Sequence, residues 1–323
     1  MPCRPSLLLA LFLGAAGAAA PTYAQPYPAK PVRVIVGFTV GGVTDIMARI
    51  VSQKLGDSLG HQFIVDNRPG AGTGIAAEIT AKAAPDGYTL MMVGLSYAVN
   101  AGMQKKLPFD PVKDFAAIVL VSSAPQALAG SMTLPAKNVS ELLELARAKP
   151  GQINFASSGN GSASHLAGEL LSSLARIKLT HVPYKGDTPA IQDLLGGQID
   201  AMMLSAIGVK PLVDSGKVKA IAVSSLTRLN SMPDLPTIAE SGYPGFQTNN
   251  LQAIFVPAGT PADIVNKLNA AAVASLKTPD AVEKIAGQGL IIVADTPASL
   301  AKTMQEETVR WGNVVKQLNL KNE

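Results

Sequence analysis

From Val32 onward, short β-branched runs alternate with segments of helical spacing, and this alternation restricts the fold more than any other feature of the chain. Val32 to Phe38, opened by Pro31, reads as a strand. Ile46 to Leu59 then repeats apolar residues at Ile46, Ile50, Leu55 and Leu59, which is helical spacing. Phe63 to Val65 is a second strand. Ile75 to Ala84 is a helix stopped by the turn signal Pro85-Asp86-Gly87, and Thr89 to Val93 is a third strand. A βαβαβ order predicts a mainly parallel sheet with helices on both faces.

A second series begins after Ala124-Pro125. The pattern predicts helices over Ser140 to Ala148, Ser164 to Leu174, Thr188 to Leu195 and Val209 to Asp214. It predicts strands over Ile153 to Ala156, Leu179 to Pro183, Ile199 to Leu204 and Val218 to Ser224. Leu229 to Gly245 is rich in proline and glycine and reads as an irregular connector. A strand (Ala253 to Val256), a helix (Pro261 to Leu276), a strand (Leu290 to Val293) and a long helix from about Thr296 close the chain. At ~150 residues per domain, 323 residues suggest about two domains. The expected class is α/β with two open sheets, and a late return segment suggests two lobes. Lobe 1 would hold residues 25–125 plus 247–323 and lobe 2 residues 126–246, the chain crossing between them twice. A simple tandem of two domains is the alternative reading.

The N-terminus reads as a processing signal. Arg4 supplies a positive start, Leu7 to Ala20 is apolar, and Thr22-Tyr23-Ala24 gives a small-x-small site. That run is short for a membrane span and fits a secretory core, so residues 1–24 are expected to be a signal peptide cleaved near Ala24. An uncleaved anchor is the alternative. Cys3 lies within it, so the exported chain would lack cysteine and rely on its core rather than on disulfides. The net charge of +4 is spread through the sequence without a basic run, and aromatics are sparse, which argues against nucleic-acid binding. His61, His165 and His181 are far apart and have no cysteine partners, so neither a metal centre nor a cofactor is expected.

Two loops resemble each other. Gly37-Phe-Thr-Val-Gly-Gly-Val-Thr-Asp45 and Ser157-Ser-Gly-Asn-Gly-Ser-Ala-Ser164 each follow a strand and open a helix. Both are rich in glycine and hydroxyls and contain no lysine or arginine. Unpaired amides at a helix start attract anions, so two such starts suggest a pincer for a small anion such as a carboxylate. Gly41 and Gly42 would let backbone approach a ligand, Thr44 could orient the helix start, and Asp45 reads as a structural cap. Ser158, Ser162 and Ser164 can donate hydrogen bonds, and Asn160 tolerates a left-handed backbone. Ordinary βα turns with a serine cap would look similar. Asn67 to Gly74 nearly matches a dinucleotide fingerprint, but Ile75 stands where the last glycine belongs, so Thr73 and Gly74 are read as cleft wall instead. Ser96 after the third strand resembles a degenerate nucleophile elbow, and a hydrolase using it is a rival reading. Ser205 completes the set of strand-end candidates.

The segments Asn67-Arg-Pro-Gly-Ala-Gly72, Ala84-Pro-Asp-Gly-Tyr-Thr89, Leu107-Pro-Phe-Asp-Pro-Val-Lys-Asp-Phe115 and Ser157 to Leu166 carry a family resemblance. So do His181-Val-Pro-Tyr-Lys-Gly186, Asp193-Leu-Leu-Gly-Gly-Gln-Ile-Asp200 and Val256-Pro-Ala-Gly-Thr-Pro261. The chain resembles the extracytoplasmic solute-binding receptors of tripartite tricarboxylate transport systems, the Bug family, almost end to end. The resemblance implies a two-lobed periplasmic-binding-protein fold (type II-like). It implies a non-enzymatic periplasmic receptor, expected to be monomeric, that captures a small carboxylated solute for membrane transporter subunits. A sensor presenting the solute to a signalling partner is the alternative. The residues carried over are Phe38, Thr39, Gly41, Gly42 and Thr44 from the first loop, and Ser158, Asn160, Gly161, Ser162 and Ser164 from the second. Three departures stand out. Gly37, Thr39 and Val40 replace a proline-aromatic-proline segment. Leu204 stands where many members carry an aspartate, which removes a counter-charge for an amino group. Leu251 and Gln252 replace a tryptophan-aromatic pair.

Overall fold

The computed structural model describes residues 27–70, 73–102, 107–287 and 290–318, so the signal-peptide reading of residues 1–24 lies outside the described residues. The first run of elements is β1 (Val32–Val36), α1 (Val43–Leu59), β2 (Phe63–Asn67), α2 (Gly74–Ala81), β3 (Thr89–Gly94) and α3 (Leu95–Gly102). A long strand, β4 (Phe115–Gly130), follows. The second run is α4 (Val139–Ala148), β5 (Asn154–Ser157), α5 (Ala163–Ala175), β6 (Thr180–Pro183), α6 (Asp187–Leu195), β7 (Ala201–Ser205), α7 (Ala206–Asp214) and β8 (Lys219–Val223). An irregular stretch leads to β9 (Asn249–Pro257), α8 (Ala262–Leu276), α9 (Pro279–Gly287), β10 (Ile291–Ile292) and α10 (Pro297–Leu318).

Each lobe is built on three parallel strands. β1 lies between β2 and β3, and β5 lies between β6 and β7. These strands are apolar on both faces because helices cover both; four of the five residues of β1 are buried. The crossover strands join antiparallel: β9 against β3 and β4, β10 against β4, and β7 and β8 against β4. The two sheets are therefore not separate, because β4 belongs to both.

The sequence pattern contains no strand over Phe115–Gly130, and the structure shows why. β4 is packed on both faces with many small residues, so it has no polar–apolar alternation to read. Its residues from Phe115 to Pro125 pair with β9, and those from Gln126 to Gly130 pair with β7. Pro125, which lacks an N–H, sits at the point where the strand changes partners, a place that tolerates the missing donor. α3 and α9 were also not expected. α3 starts directly at the end of β3 with no loop to announce it.

Three apolar clusters follow from this layout. One runs continuously from Ile35, Met91 and Trp311 to Leu142, Leu170 and Phe246, and so spans both lobes. A second packs α1 and α8 on β1, β3 and β9, through Met47, Val51, Leu55, Leu268 and Ile254. A third lies under α6 and α7, with Ala190, Leu194 and Val209. Trp311 is fully buried in α10 and donates from Nε1 to Glu307 at 3.1 Å, while Arg310 Nη1 donates to the Gln247 carbonyl at 2.6 Å. α10 is thereby tied to the chain just before β9.

The chain is tied most tightly where it passes between the sheets. Gln126, Ser224 and Thr248 are all buried. The Gln126 N–H donates to Ser224 Oγ at 2.8 Å, and Ser224 Oγ donates to the Thr248 carbonyl at 2.6 Å. Thr248 Oγ1 donates to Gln126 Oε1 at 3.0 Å. Backbone bonds from Ser224 N to Gln126 O (2.7 Å) and from Thr248 N to Ser224 O (3.2 Å) close the knot. Ser224→Ala would strand one buried donor and one buried acceptor. We expect a loss of about 2 kcal/mol in urea unfolding, with the fold retained. A change within the scatter of surface substitutions would show that the knot is not stabilising.

Candidate ligand-binding cleft

The candidate residues gather at the carboxyl ends of the parallel strands, where ligands bind in open α/β sheets. In the first lobe these are the loops after Val36 and Asn67 and the start of α3 after Gly94; in the second they are the loops after Ser157 and Pro183 and the start of α7 after Ser205. Two close approaches show that the loops converge. A Cβ on Gly94 would stand 3.5 Å from the Leu251 carbonyl oxygen, 3.6 Å from Thr44 Oγ1 and 3.7 Å from the Phe38 ring. Across the lobes, a Cβ on Gly186 would stand 3.0 Å from the Gly41 carbonyl oxygen. The turn after β6 is thus seated on the loop after β1.

The first loop is held from below by Asp45. Its carboxylate accepts from the Gly41 N–H at 3.0 Å, Arg49 Nε at 3.0 Å and Asn67 Nδ2 at 2.9 Å. Asn67 Nδ2 also donates to the Phe38 carbonyl at 3.0 Å. Burial pushes the Asp45 carboxyl up, but the hydrogen bonds and charge of its partners outweigh that and hold it below the ordinary value. The Gly42 N–H turns back toward the Thr39 carbonyl. The amides of Gly41 and Gly42 are therefore spent within the loop. The next amides differ: α1 has Gly42 as its N-cap, with no side-chain cap, so the helix start from Val43 is open to an anion. Thr44 is buried there, whereas Thr39 and Val40 are exposed at the rim.

The second loop is built differently, which corrects the expectation of two open helix starts. Ser162 caps α5 by accepting from the His165 N–H, and the Gly161 N–H donates to His165 Nδ1 at 3.0 Å. Ser164 Oγ accepts from the Ser158 N–H at 3.0 Å and lies 3.1 Å from Ser158 Oγ and 3.0 Å from Ser162 Oγ. These serines satisfy one another, so the loop presents an ordered hydroxyl network rather than bare amides. Asn160 is exposed at its tip. Beneath the network, the His165 and His181 rings stack at 4.0 Å and Ser157 Oγ lies 2.6 Å from His181 Nε2.

Three further groups lie at the strand ends of the first lobe. Thr73 Oγ1, Ser96 Oγ and Gln252 Oε1 are buried without a protein hydrogen-bond partner. Such atoms are uncommon in folded proteins; Ser52, Ser122, Asp295 and Arg310 carry others elsewhere. Thr73 also holds a left-handed backbone at φ 79, unusual for a threonine. Ser96 sits in the first turn of α3, and its Oγ has no hydrogen-bond partner among the described residues; His165 lies in α5, His181 in β6 and His61 just before β2. Ser205 ends β7 at the N-cap position of α7, opposite Gln126 of the interlobe knot. Gln252, Gly186 and Asp187 were not singled out as ligand contacts by sequence. Gln252 pairs with Gly94 across β3 and β9, and a glycine followed by an acid at a helix start after β6 was the legible signal for the other two. Among the described residues no group of His, Cys, Asp and Glu is arranged to hold a metal ion, and no helix is long and apolar enough to cross a membrane.

Burial and the stacked His181 push the His165 imidazole down from 6.5 to about 4, so its 3.8 Å approach to Glu169 is not an ion pair at neutral pH. A folded value below the unfolded one means that the unfolded chain takes up the proton first as pH falls. Stability should drop between about pH 6.5 and about pH 4, by up to about 3 kcal/mol. His165→Asn, which keeps an acceptor for the Gly161 N–H, should flatten that part of the profile in unfolding measured against pH. An unchanged slope would show that His165 is not the group responsible.

Known proteins share this arrangement. A family model for the tripartite tricarboxylate transporter family receptor matches residues 47–320. Protein BugT of Bordetella pertussis is 36% identical over 316 residues, covering 97% of each chain. The periplasmic binding protein BugD superposes with a TM-score of 0.80 at 33% identity, over 92% of this chain and 100% of that one. MatC of Rhodopseudomonas palustris, solved with bound malate, does so with a TM-score of 0.80 at 35% identity, over 90% of this chain and 100% of that one. With its two α/β lobes, shared crossover strand and loops meeting at the strand ends, this chain belongs to the tripartite tricarboxylate transporter family receptors.

Proposed function

We propose that the protein captures a small organic carboxylate between its lobes outside the cytoplasm and delivers it to the membrane components of a tripartite tricarboxylate-type transporter. The observation that carries this reading is the uncapped start of α1, which faces the second lobe's turn across the Gly41–Gly186 approach. A carboxylate seated there would take hydrogen bonds from the first amides of α1 and favourable charge from the helix dipole, without a cationic side chain. Thr44, Thr73, Ser96 and Gln252 would contribute from the first lobe, and Ser158 with Asn160 from the second. The malate seen in MatC fits the same chemistry. Export supports this reading through the apolar segment Leu7 to Ala20 and the small-x-small site before Gln25.

The lobes are proposed to divide at Pro125–Gln126 and again near Gln247. The exchange of β4 from β9 to β7 supports this division, as does the knot of Gln126, Ser224 and Thr248. Ligand contacts to both lobes would favour the closed state, which is how binding would be signalled to a membrane partner.

A panel of mono-, di- and tricarboxylates tests the reading. At ~1,000-fold excess over the dissociation constant, a true ligand should raise stability by about 4 kcal/mol. A panel without any stabilising acid, alongside a hit from a sugar or a cation, would overturn it. Gly186→Ala tests closure. The φ of 106 and the 3.0 Å approach to Gly41 make a side chain costly there, so ligand affinity should fall by about tenfold or more. Ligand-induced compaction in small-angle scattering should be lost with it. An alanine variant that binds and compacts normally would show that this approach is not needed for capture.

A further inference from the structure

Asp187 opens α6 on the turn leaving β6, immediately after Gly186. Gly186 is the point where the second lobe touches the first, and its N–H donates to the Ser158 carbonyl at 3.2 Å. The Ser158 hydroxyl in turn hydrogen-bonds the Asp187 carboxylate. The hydroxyl network of Ser162, Ser164 and Ser158 therefore ends on a carboxylate placed beside the interlobe contact.

The two acids next to this contact differ in how they are satisfied. Asp45, behind the first loop, is filled by Arg49, Asn67 and the Gly41 N–H. Tyr184, on the same turn as Asp187, gives its hydroxyl to Asp193 at 2.5 Å. Asp187 is half-buried but closely surrounded by protein, with the Ser158 hydroxyl to set against that desolvation, and desolvation wins, pushing its carboxyl up to about 6. An ionised carboxylate can accept about four hydrogen bonds, so one hydroxyl leaves most of that capacity open. A second carboxylate brought to it would be repelled, whereas a hydroxyl or ammonium group would be drawn in.

Resting on the reading of the cleft as a carboxylate receptor, we propose that Asp187 is a specificity-determining residue: it accepts a hydrogen bond from a hydroxyl or amino substituent of the bound acid. The open start of α1 holds the carboxylate common to all such acids, and Asp187 selects those that also carry a donor.

Titration calorimetry at neutral pH on the mature protein tests this with matched acids: succinate, malate and aspartate; glutarate, 2-hydroxyglutarate and glutamate; propionate, lactate and alanine. Wild type should bind a hydroxy or amino acid about tenfold or more tighter than its plain counterpart. Asp187→Asn should reduce that ratio by about tenfold while binding of the plain acid holds or tightens. Asp187→Ser, which keeps a favourable helix-start residue, should do the same and guards against a folding defect in one variant. Acids that bind with ratios unchanged in both variants, or a wild type that prefers the plain acid, would overturn the role of Asp187 and leave the receptor reading standing. Failure of every acid in every series to bind wild type would overturn both.

Discussion

The cleft depends on a strand that serves two ladders. β4 pairs with β9 up to Pro125 and with β7 from Gln126, so one continuous backbone fixes the two sheets relative to each other. A strand that changes partners leaves polar groups to be satisfied at the change. Gln126, Ser224 and Thr248 satisfy them with a closed set of hydrogen bonds in a fully buried place. Buried polar networks are costly when their members are left unpaired, and here each of the three residues is bonded to the other two. The loops that meet over the cleft are positioned from this point outward: Gln126 stands opposite Ser205 in β7, and Thr248 leads directly into β9, which carries Leu251 and Gln252.

The two helix starts that look alike in sequence have divided their work. At α1, Asp45 gathers the loop from below and leaves the helix start uncapped, so an anion is the natural partner for its amides. At α5, the same kind of sequence closes on itself, with Ser162 as cap and His165 accepting the Gly161 N–H. The difference lies in what each loop can hydrogen-bond to. The first has an acid one turn into the helix, pulled away by Arg49 and Asn67; the second has serines and a histidine that reach each other. One lobe thus offers charge attraction through backbone, and the other offers a rigid polar surface that ends on Asp187.

Much of the fold was legible because parallel strands and their helices have strong periodic signals. β1, β3, α5 and α8 lie within a few residues of where apolar spacing and turn residues place them. β4 was not legible: a strand buried on both faces and rich in alanine and serine has no alternation, and Pro125 reads as a break although it marks an exchange of ladders. α3 was missed because it follows β3 with no turn residue between. In the site, the glycine and serine loops announced themselves by composition. Asp187 did not, because its meaning depends on the contact between Gly186 and Gly41, which joins residues far apart in sequence and exists only when the lobes are together.

Glycine at position 37 has a physical reason that the sequence alone does not supply. A Cβ at position 37 would stand 2.8 Å from both the Cβ and the Cγ2 of Thr73, closer than real side chains approach. Thr73 in turn holds a left-handed backbone and is almost fully buried. The loops after β1 and β2 are therefore fitted to each other. Glycine at 37 makes the room, and threonine at 73 fills it with a methyl group while keeping a buried hydroxyl. A residue with a side chain at 37 would require Thr73 to retreat or to become smaller. The loop after β1 is thus held against a neighbouring element that occupies the space beside position 37. Thr73 Oγ1 is left without a protein partner in this fit, so a buried hydroxyl remains open at the start of α2. Substitutions at 37 and 73 should for that reason be coupled, each changing what the other can accommodate.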